Sequence, residues 1–431
     1  MQKHPRVLIV GTIPYNKNTS SRAFDAYFHN WEKENIRQIF SNTKTPVKGH
    51  CGSLYQITDH RLLKRRLGKI KEVGVIFEDK DLPEDWTDND LEVGSGVAVK
   101  LYKSGSKKSP FKYLARGWLW KKKLWNTEKL RNWLDEFRPE CVFLAFSDDF
   151  FIPEIALFVA ERYNIPIMSC IGDDYYFNDR FSLSPLYHIY RRKYKKLIRR
   201  VFSVKSCAMY IGDKIRDKYN EAFGLSGQTI YLASDIQRKP FAPINLDAPY
   251  ISYCGNIRLG RNESLAMIGE ALRRINPDYR LHVYSAEKNE EYIRPLRECE
   301  GIEYHGAVPY SEVMEVFAKS DAVVVVEGFD KRDVNITKYS LSTKAADSLA
   351  SGAQIFALGS YDCGVIEYLD SVGCVNVCTD PERVEQSLRA MLLDTEAQRR
   401  NYELAKEVYE SNHNKEKNLL LTEELFRGLI G

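Results

Sequence analysis

Short, wholly apolar runs alternate with amphipathic stretches along most of this chain. Val7–Val10 is an apolar run that stops at Gly11. Such a run reads as a strand buried on both faces of a parallel sheet. Residues 22–34 carry Phe24, Tyr27, Phe28 and Trp31 at helical spacing, and 36–40 read as the next strand. This β-α-β opening is the unit of a doubly wound sheet. Residues 60–125 break the rhythm and read as a basic, aromatic insertion with some helix and a Gly/Ser-containing stretch. It resumes with a helix over 127–137, a strand over 142–146, a helix over 152–163 and a strand over 165–171. Short strands at 201–204 and 230–232 then flank a helix at 211–222.

Residues 236–249 have no periodicity and hold Pro240, Pro243 and Pro249, which marks a boundary. A second series follows. Strands are expected at 250–254, 280–284, 302–304, 322–326, 354–358 and 374–377. Helices are expected at 263–274, 290–298, 311–318, 343–350 and 363–369, and two more at 381–392 and 395–428 close the chain. The pattern predicts two Rossmann-like α/β domains facing a cleft: residues 1–236, then 237–405, with a terminal helix over 406–431 packing back on the first domain. A length of 431 residues agrees, because single cores stop growing near ~250–300 residues.

Composition narrows the class only slightly. Lys plus Arg number 63 against 59 acidic residues, a net charge of +4, which names no partner. Nine Cys without a paired spacing read as reduced thiols, neither a disulfide framework nor a zinc site. No run approaches the ~20 apolar residues of a membrane span, and the N-terminus enters a strand at once, so a cytoplasmic location is expected. No Gly-x-Gly-x-x-Gly follows Gly11 and Thr12, and there is no Walker loop, which argues against a nicotinamide dehydrogenase or a P-loop enzyme.

The chemistry concentrates in residues 320–367. Glu327 closes the apolar run 322–326. Ser342 and Thr343 are N-cap residue types, and Lys344 falls in the first turn behind them. A helix N-terminus with hydroxyls and a lysine suits a diphosphate. Asp347 lies one turn on, beside Lys344, where its carboxylate suits ribose hydroxyls. The bland alternatives are a solvated helix residue for Asp347 and a helix cap for Glu327. Gly255–Arg261 is the loop after the first strand of the second half. Arg258 and Arg261 are placed there to meet a pyrophosphate, or are ordinary surface arginines. Asp173 and Asp174 follow the strand ending at Ile171. They are candidates to assist an acceptor hydroxyl, or form a turn.

The stretch Ser342-Thr-Lys-x-x-Asp-x-Leu-Ala-Ser-Gly-x-x-Ile355 resembles the donor-binding motif of retaining GT-B glycosyltransferases of the group 1, family 4-like type. The resemblance extends to Tyr304-His-Gly306-Ala-Val-Pro, to Tyr253-Cys-Gly255-Asn256-Ile-Arg258, and to residues 202–224. It implies a GT-B fold and transfer of a hexose from a nucleotide sugar to a glycan or lipid-linked acceptor, with retention and in polysaccharide biosynthesis. It also implies donor contacts from Gly255, Asn256, Arg258, Arg261, Gly306, Ser342, Thr343, Lys344 and Asp347, with Gly11 and Thr12 bordering acceptor and donor phosphates. The family's Glu, seven residues, Glu spacing is not kept. Tyr339 stands eight before Asp347, so the first acidic role passes to Glu327. No cofactor and no metal are expected, since Lys344, the arginines and the helix terminus would offset the leaving charge. The rivals are a nucleotide-sugar epimerase on the same fold and a binding protein with a decayed site.

Two charge runs point to a membrane. Residues 191–200 hold seven basic residues, and 107–123 interleave seven more with Phe111, Tyr113, Trp118 and Trp120. Peripheral docking at the inner face of an anionic membrane is the expectation, a solvated helix face with core aromatics the alternative. No nucleic-acid motif accompanies the charge.

Overall fold

The computed structural model describes residues 4–15, 21–43, 45–84, 109–179 and 181–431. The chain divides into two compact units, residues 1–230 with 416–431, and residues 231–415.

The first unit is built on one sheet of eight strands: β1 (Val7–Val10), β2 (Ile36–Phe40), β3 (Ser53–Gln56), β4 (Val75–Glu78), β5 (Cys141–Ala145), β6 (Ile167–Ile171), β7 (Ser206–Tyr210) and β8 (Gln228–Thr229). Their spatial order is β4-β3-β2-β1-β5-β6-β7-β8. Every pairing is parallel except β3 with β4. Val7–Val10 is fully buried, as a central parallel strand requires. The last helix of the chain, Lys415–Ile430, belongs to this unit. Its Phe426 ring lies 5.1 Å from Trp31, 5.9 Å from Phe28 and 6.3 Å from Phe143.

The second unit is a six-stranded, wholly parallel sheet: β9 (Ile251–Cys254), β10 (Leu281–Tyr284), β11 (Ile302–Gly306), β12 (Ala322–Val326), β13 (Gln354–Leu358) and β14 (Asn376–Cys378), in the order β11-β10-β9-β12-β13-β14. Period-2 alternation splits β12 between two cores. Val324 and Val326 pack with Tyr253, Leu265 and Phe356, while Val323 and Val325 pack with Ala345, Leu349 and Ile355. A strand buried on both faces has no polar side to show, hence its unbroken valines.

Several sequence expectations are corrected. The first helix spans only Ser21–Phe28, because Trp31 N–H turns back to the Phe28 carbonyl. Residues 60–125 are not simply an insertion: β4 is a sheet strand and the helix Asp59–Arg66 precedes it, while 85–108 lie outside the described residues. The expected strand at 201–204 is the end of a 19-residue helix, Pro185–Ser203, and the strand is β7. Seven arginines and lysines cluster within residues 191–200 of that helix and hid its period. β8 replaces the expected strand at 230–232. A helix at Lys331–Thr337, capped by Asp330, went unread. The expected helix 395–428 is broken into Thr395–Asn412 and Lys415–Ile430 at His413. There burial depresses the imidazole pKa to about 4, and the Leu232 carbonyl (2.7 Å from Nδ1) and Tyr368 hydroxyl (2.7 Å from Nε2) partner its two nitrogens.

Candidate functional site

In the second sheet the chain winds outward in both directions from the β9/β12 pair. A crevice opens where the strand order reverses, at the carboxyl ends. The β9–β12 ladder covers only Ile251↔Ala322 and Ser252↔Val323, so the two strands part toward those ends. Gly255 and Glu327, the residues directly after each strand, flank the gap.

Lys344 reaches into it from the first position of the helix Lys344–Ser351, with its amide N–H on Ser342 Oγ at 3.3 Å. A methyl group added at Gly255 would meet Lys344 Nζ at 3.3 Å and Tyr253 Oη at 3.4 Å, and Gly255 has φ +154°. A side chain there would be strained by the dihedral and would press on the lysine, which favours glycine. The ammonium also lies 5.6 Å from the Tyr253 ring centroid. Among the described residues no carboxylate comes within ion-pair distance of Lys344, and burial, then repulsion from Arg261, lower its pKa to about 8. Glu327 and Asp347 favour the charge from longer range without offsetting the burial, and a desolvated ammonium at a sheet's switch point is a functional signal.

The remaining expected residues separate by what they touch. Arg261 opens the helix Arg261–Ile275 and clasps Glu327 with two bonds, Nε to Oε2 at 3.0 Å and Nη2 to Oε1 at 2.8 Å. Burial works against the guanidinium charge, but the Glu327 carboxylate outweighs it and holds the Arg261 pKa above its ordinary value. Glu327 is 1% exposed. Both of its oxygens are engaged by Arg261. The clasp depends on two glycine loops in contact. A methyl on Gly328 would strike the Leu259 carbonyl at 2.5 Å, and Gly260 and Leu259 both have positive φ. Arg258 points elsewhere, to an exposed bidentate pair with Glu287, whose carboxyl that hydrogen bonding holds at about 2. Asn256 shapes the turn, its Oδ1 accepting from Arg258 N–H at 2.8 Å.

Asp347 is 5% exposed and accepts from the Ser234 hydroxyl at 2.6 Å. Thr343 is exposed at the helix start. Gly306 ends β11, two strands from the switch point, with φ +79° and open space beside it. Sequence reasoning gave no role to Tyr253, Ser234 or Glu287. All three are ordinary strand or loop residues until their partners are known.

In the first unit, Gly11 lies after β1, where a methyl would meet Ala145 Cβ at 3.1 Å, and the Thr12 carbonyl accepts from Asn42 N–H at 2.8 Å. Asp174 makes the turn after β6, accepting from Tyr176 N–H (3.0 Å), Phe177 N–H (2.8 Å) and Tyr219 Oη (2.7 Å), and burial raises its pKa. Asp173 is exposed, with Tyr175 Oη at 3.4 Å.

No protein-family model and no curated protein matches this sequence. Solved structures do match its fold. Anabaena HepE, determined with UDP and glucose, superposes with a TM-score of 0.56 at 12% identity over 98% of this chain and 100% of its own. OtsA in its apo form gives 0.56 at 11%, over 99% of each chain. TarM gives 0.50 at 12%, over 70% of this chain and 57% of TarM. These neighbours are GT-B glycosyltransferases, and the present chain has the GT-B fold. At such identities the likeness is one of architecture.

Proposed function

We propose that the protein is a glycosyltransferase whose second unit holds a nucleoside-diphosphate sugar at the β9/β12 switch point. The observation that carries this reading is Lys344, a desolvated ammonium at the switch point with no carboxylate at ion-pair distance among the described residues, lying against the Cβ-less Gly255. A diphosphate supplies the missing charge. During transfer the leaving nucleotide gains negative charge, and Lys344, the dipole of its helix and Arg261 stabilise it electrostatically. Glu327 acts as a positioning residue for Arg261. Gly255 admits the phosphates, and Asp347, shared with Ser234, faces the ribose hydroxyls. Transfer then needs no divalent ion at the diphosphate. Retention of configuration and a hexose donor rest on the motif resemblance.

Thermal stabilisation by UDP, GDP and their sugar conjugates, with EDTA present, tests the reading. One nucleotide should raise the unfolding midpoint by mass action, and Lys344→Ala should abolish the shift. No shift with any of them would favour a decayed binding protein, for which Tyr339 and the self-paired Arg258 and Arg261 already speak.

The acceptor in this reading is a lipid-linked glycan reached at the cytoplasmic face of a membrane. Support comes from the first unit. Phe181 and Leu183 are 90% and 87% exposed, and Phe111, Trp118, Leu186 and Ile189 are exposed on the neighbouring helices Pro110–Leu119 and Pro185–Ser203. Arg192, Lys193 and Lys196 accompany them in solvent. The charge run is smaller than its sequence suggested. Arg191 is buried against Asp179 and the Tyr175 and Tyr176 carbonyls, and Arg200 pairs with Glu161. Trp120 and Trp125 belong to the core, and Lys107 and Lys108 lie outside the described residues. Among the described residues no helix is long and apolar enough to cross a membrane. Vesicles with anionic lipid should sediment the protein at low salt. Phe181→Ser with Leu183→Ser should weaken that binding about tenfold or more, by the apolar area lost. Equal recovery in the supernatant with and without vesicles would sink the idea.

A further inference from the structure

Away from the switch point, three side chains converge on the edge of the second sheet. β11 is the edge strand, and His282 on β10 stands directly opposite Glu303 in the ladder. The register shifts after Val283, so His305 is the extra residue of a bulge and follows Glu303 on the same side. Bulges re-aim side chains, and this one brings His305 Nε2 to 3.1 Å from His282 Nδ1. Glu303 carboxylate oxygens lie 3.4 Å from His282 Nδ1 and 3.7 Å from His305 Nε2.

Those separations have a chemical meaning. An ion bound tetrahedrally with bonds of ~2.0–2.1 Å holds its ligand atoms ~3.3–3.4 Å apart, by simple geometry on the usual zinc distances. The two ring nitrogens are 3.1 Å apart, and the carboxylate straddles them, Oε2 at 3.4 Å from His282 Nδ1 and Oε1 at 3.7 Å from His305 Nε2, so one ligand atom from each residue lies within 4.8 Å of the others, close enough for one ion to gather all three. The rings are held from behind. Tyr250 stacks on His282 at 4.1 Å, Tyr284 stacks on His305 at 4.4 Å, and the two tyrosine hydroxyls meet at 2.6 Å. This closed frame fixes both imidazole planes without engaging the ligand atoms. Lys319 is the nearby cation, over the Tyr250 ring at 4.5 Å. Without an ion, the short contact between two ring nitrogens requires one proton between them. That proton moves to the far nitrogen of its ring, or to solvent, when both lone pairs bind a metal.

We propose that His282, Glu303 and His305 form a binding site for a zinc-class divalent ion, with its fourth position open to solvent at the sheet edge. Two imidazoles and one carboxylate select zinc, cobalt, nickel or copper over magnesium and calcium, which take oxygen ligands. The site shares no residue with the Lys344 crevice, so it stands or falls apart from the donor reading. Its role is to bind the ion and clamp β11 to β10.

Titration of ZnCl2 into the EDTA-stripped, desalted full chain under a non-thiol reductant tests it. We expect one equivalent bound, weakened at least tenfold in His305→Ala and in Glu303→Gln, with unfolding midpoints confirming that both variants fold. Both side chains are solvent-facing, so neither substitution opens the core. Co2+ in place of zinc should give a visible tetrahedral spectrum without a thiolate charge-transfer band. A thiolate band would place the ion on the free cysteines and overturn the proposal. So would binding that survives His305→Ala, or no binding at all.

Discussion

The two units build their switch points from the same strand order and give them opposite chemistry. In the first, β1 and β5 pair over all four positions, from Val7↔Cys141 to Val10↔Leu144. In the second, β9 and β12 pair over two and then part. The loops of the first unit carry carboxylates: Asp148, which receives Tyr113 Oη, Asp149, bound by Arg116 Nη1 at 2.8 and 2.9 Å, then Asp173 and Asp174. The corresponding crevice of the second unit carries Lys344, with no carboxylate at ion-pair distance among the described residues. Carboxylates and phenols suit the hydroxyls of a sugar, and an unpaired ammonium suits phosphate. One scaffold can serve either ligand, because the strands fix where loops emerge and the loops choose the charge.

The sharpest break of this comparison is its ion pairs. Arg261–Glu327 is nearly closed to solvent, whereas Arg116 is about a third exposed. Arg261→Ala strands a buried carboxylate and should cost about 3–5 kcal/mol in chemical denaturation, with Arg116→Ala costing clearly less. Restoring most of that loss by adding Glu327→Gln would show that the clasp, not the helix start, is responsible.

Next in size, Lys344→Ala should weaken nucleoside-diphosphate binding by about 2–3 kcal/mol, on the scale of a lost charge-assisted bond, read by calorimetry. Stability of the free protein should not fall with it, since the desolvated charge is removed.

Glycines give a smaller contrast. Gly255→Ala combines a φ of +154° with contact on Lys344, and about 1–2 kcal/mol of stability should go, together with donor affinity. Gly11→Ala meets the Ala145 methyl at 3.1 Å and Gln38 Nε2 at an ordinary 3.9 Å, and should stay below about 1 kcal/mol. Equal losses at the two sites would remove the case for a shaped phosphate pocket.

The smallest effect is in pH. With its pKa near 8, Lys344 loses its proton as pH rises past that value, so donor affinity should fall by at most about tenfold per unit above it. Free stability should move the other way. Between about 8 and the ordinary 10.5 the unfolded chain holds this proton and the folded chain does not, so this group's contribution to stability rises with pH there. The difference between wild type and Lys344→Met isolates both slopes from the rest of the chain.

Much of this was legible from residue order. The wholly apolar β12, the β-α alternation of residues 250–378 and the placement of Lys344 and Asp347 one turn apart follow from local periodicity and capping chemistry, which depend on neighbours within a few residues. Pairings between distant loops do not. Arg261 and Glu327 are 66 residues apart, Arg258 and Glu287 are 29 apart, and which arginine would face the crevice depended on a turn made by Asn256 and a backbone approach of Gly260 to Gly328. The same holds for Arg191, one basic residue among seven in sequence and the buried one in the fold, and for His282, Glu303 and His305, which meet only through strand register and a one-residue bulge. The sequence by itself determined the strands of the second unit, which helix carries the lysine and that two α/β units exist, because burial periodicity is a local property. Only the tertiary structure decided which charges are spent on each other and which remains for a ligand, because that depends on sheet order, register and loop contacts between residues that are strangers in sequence.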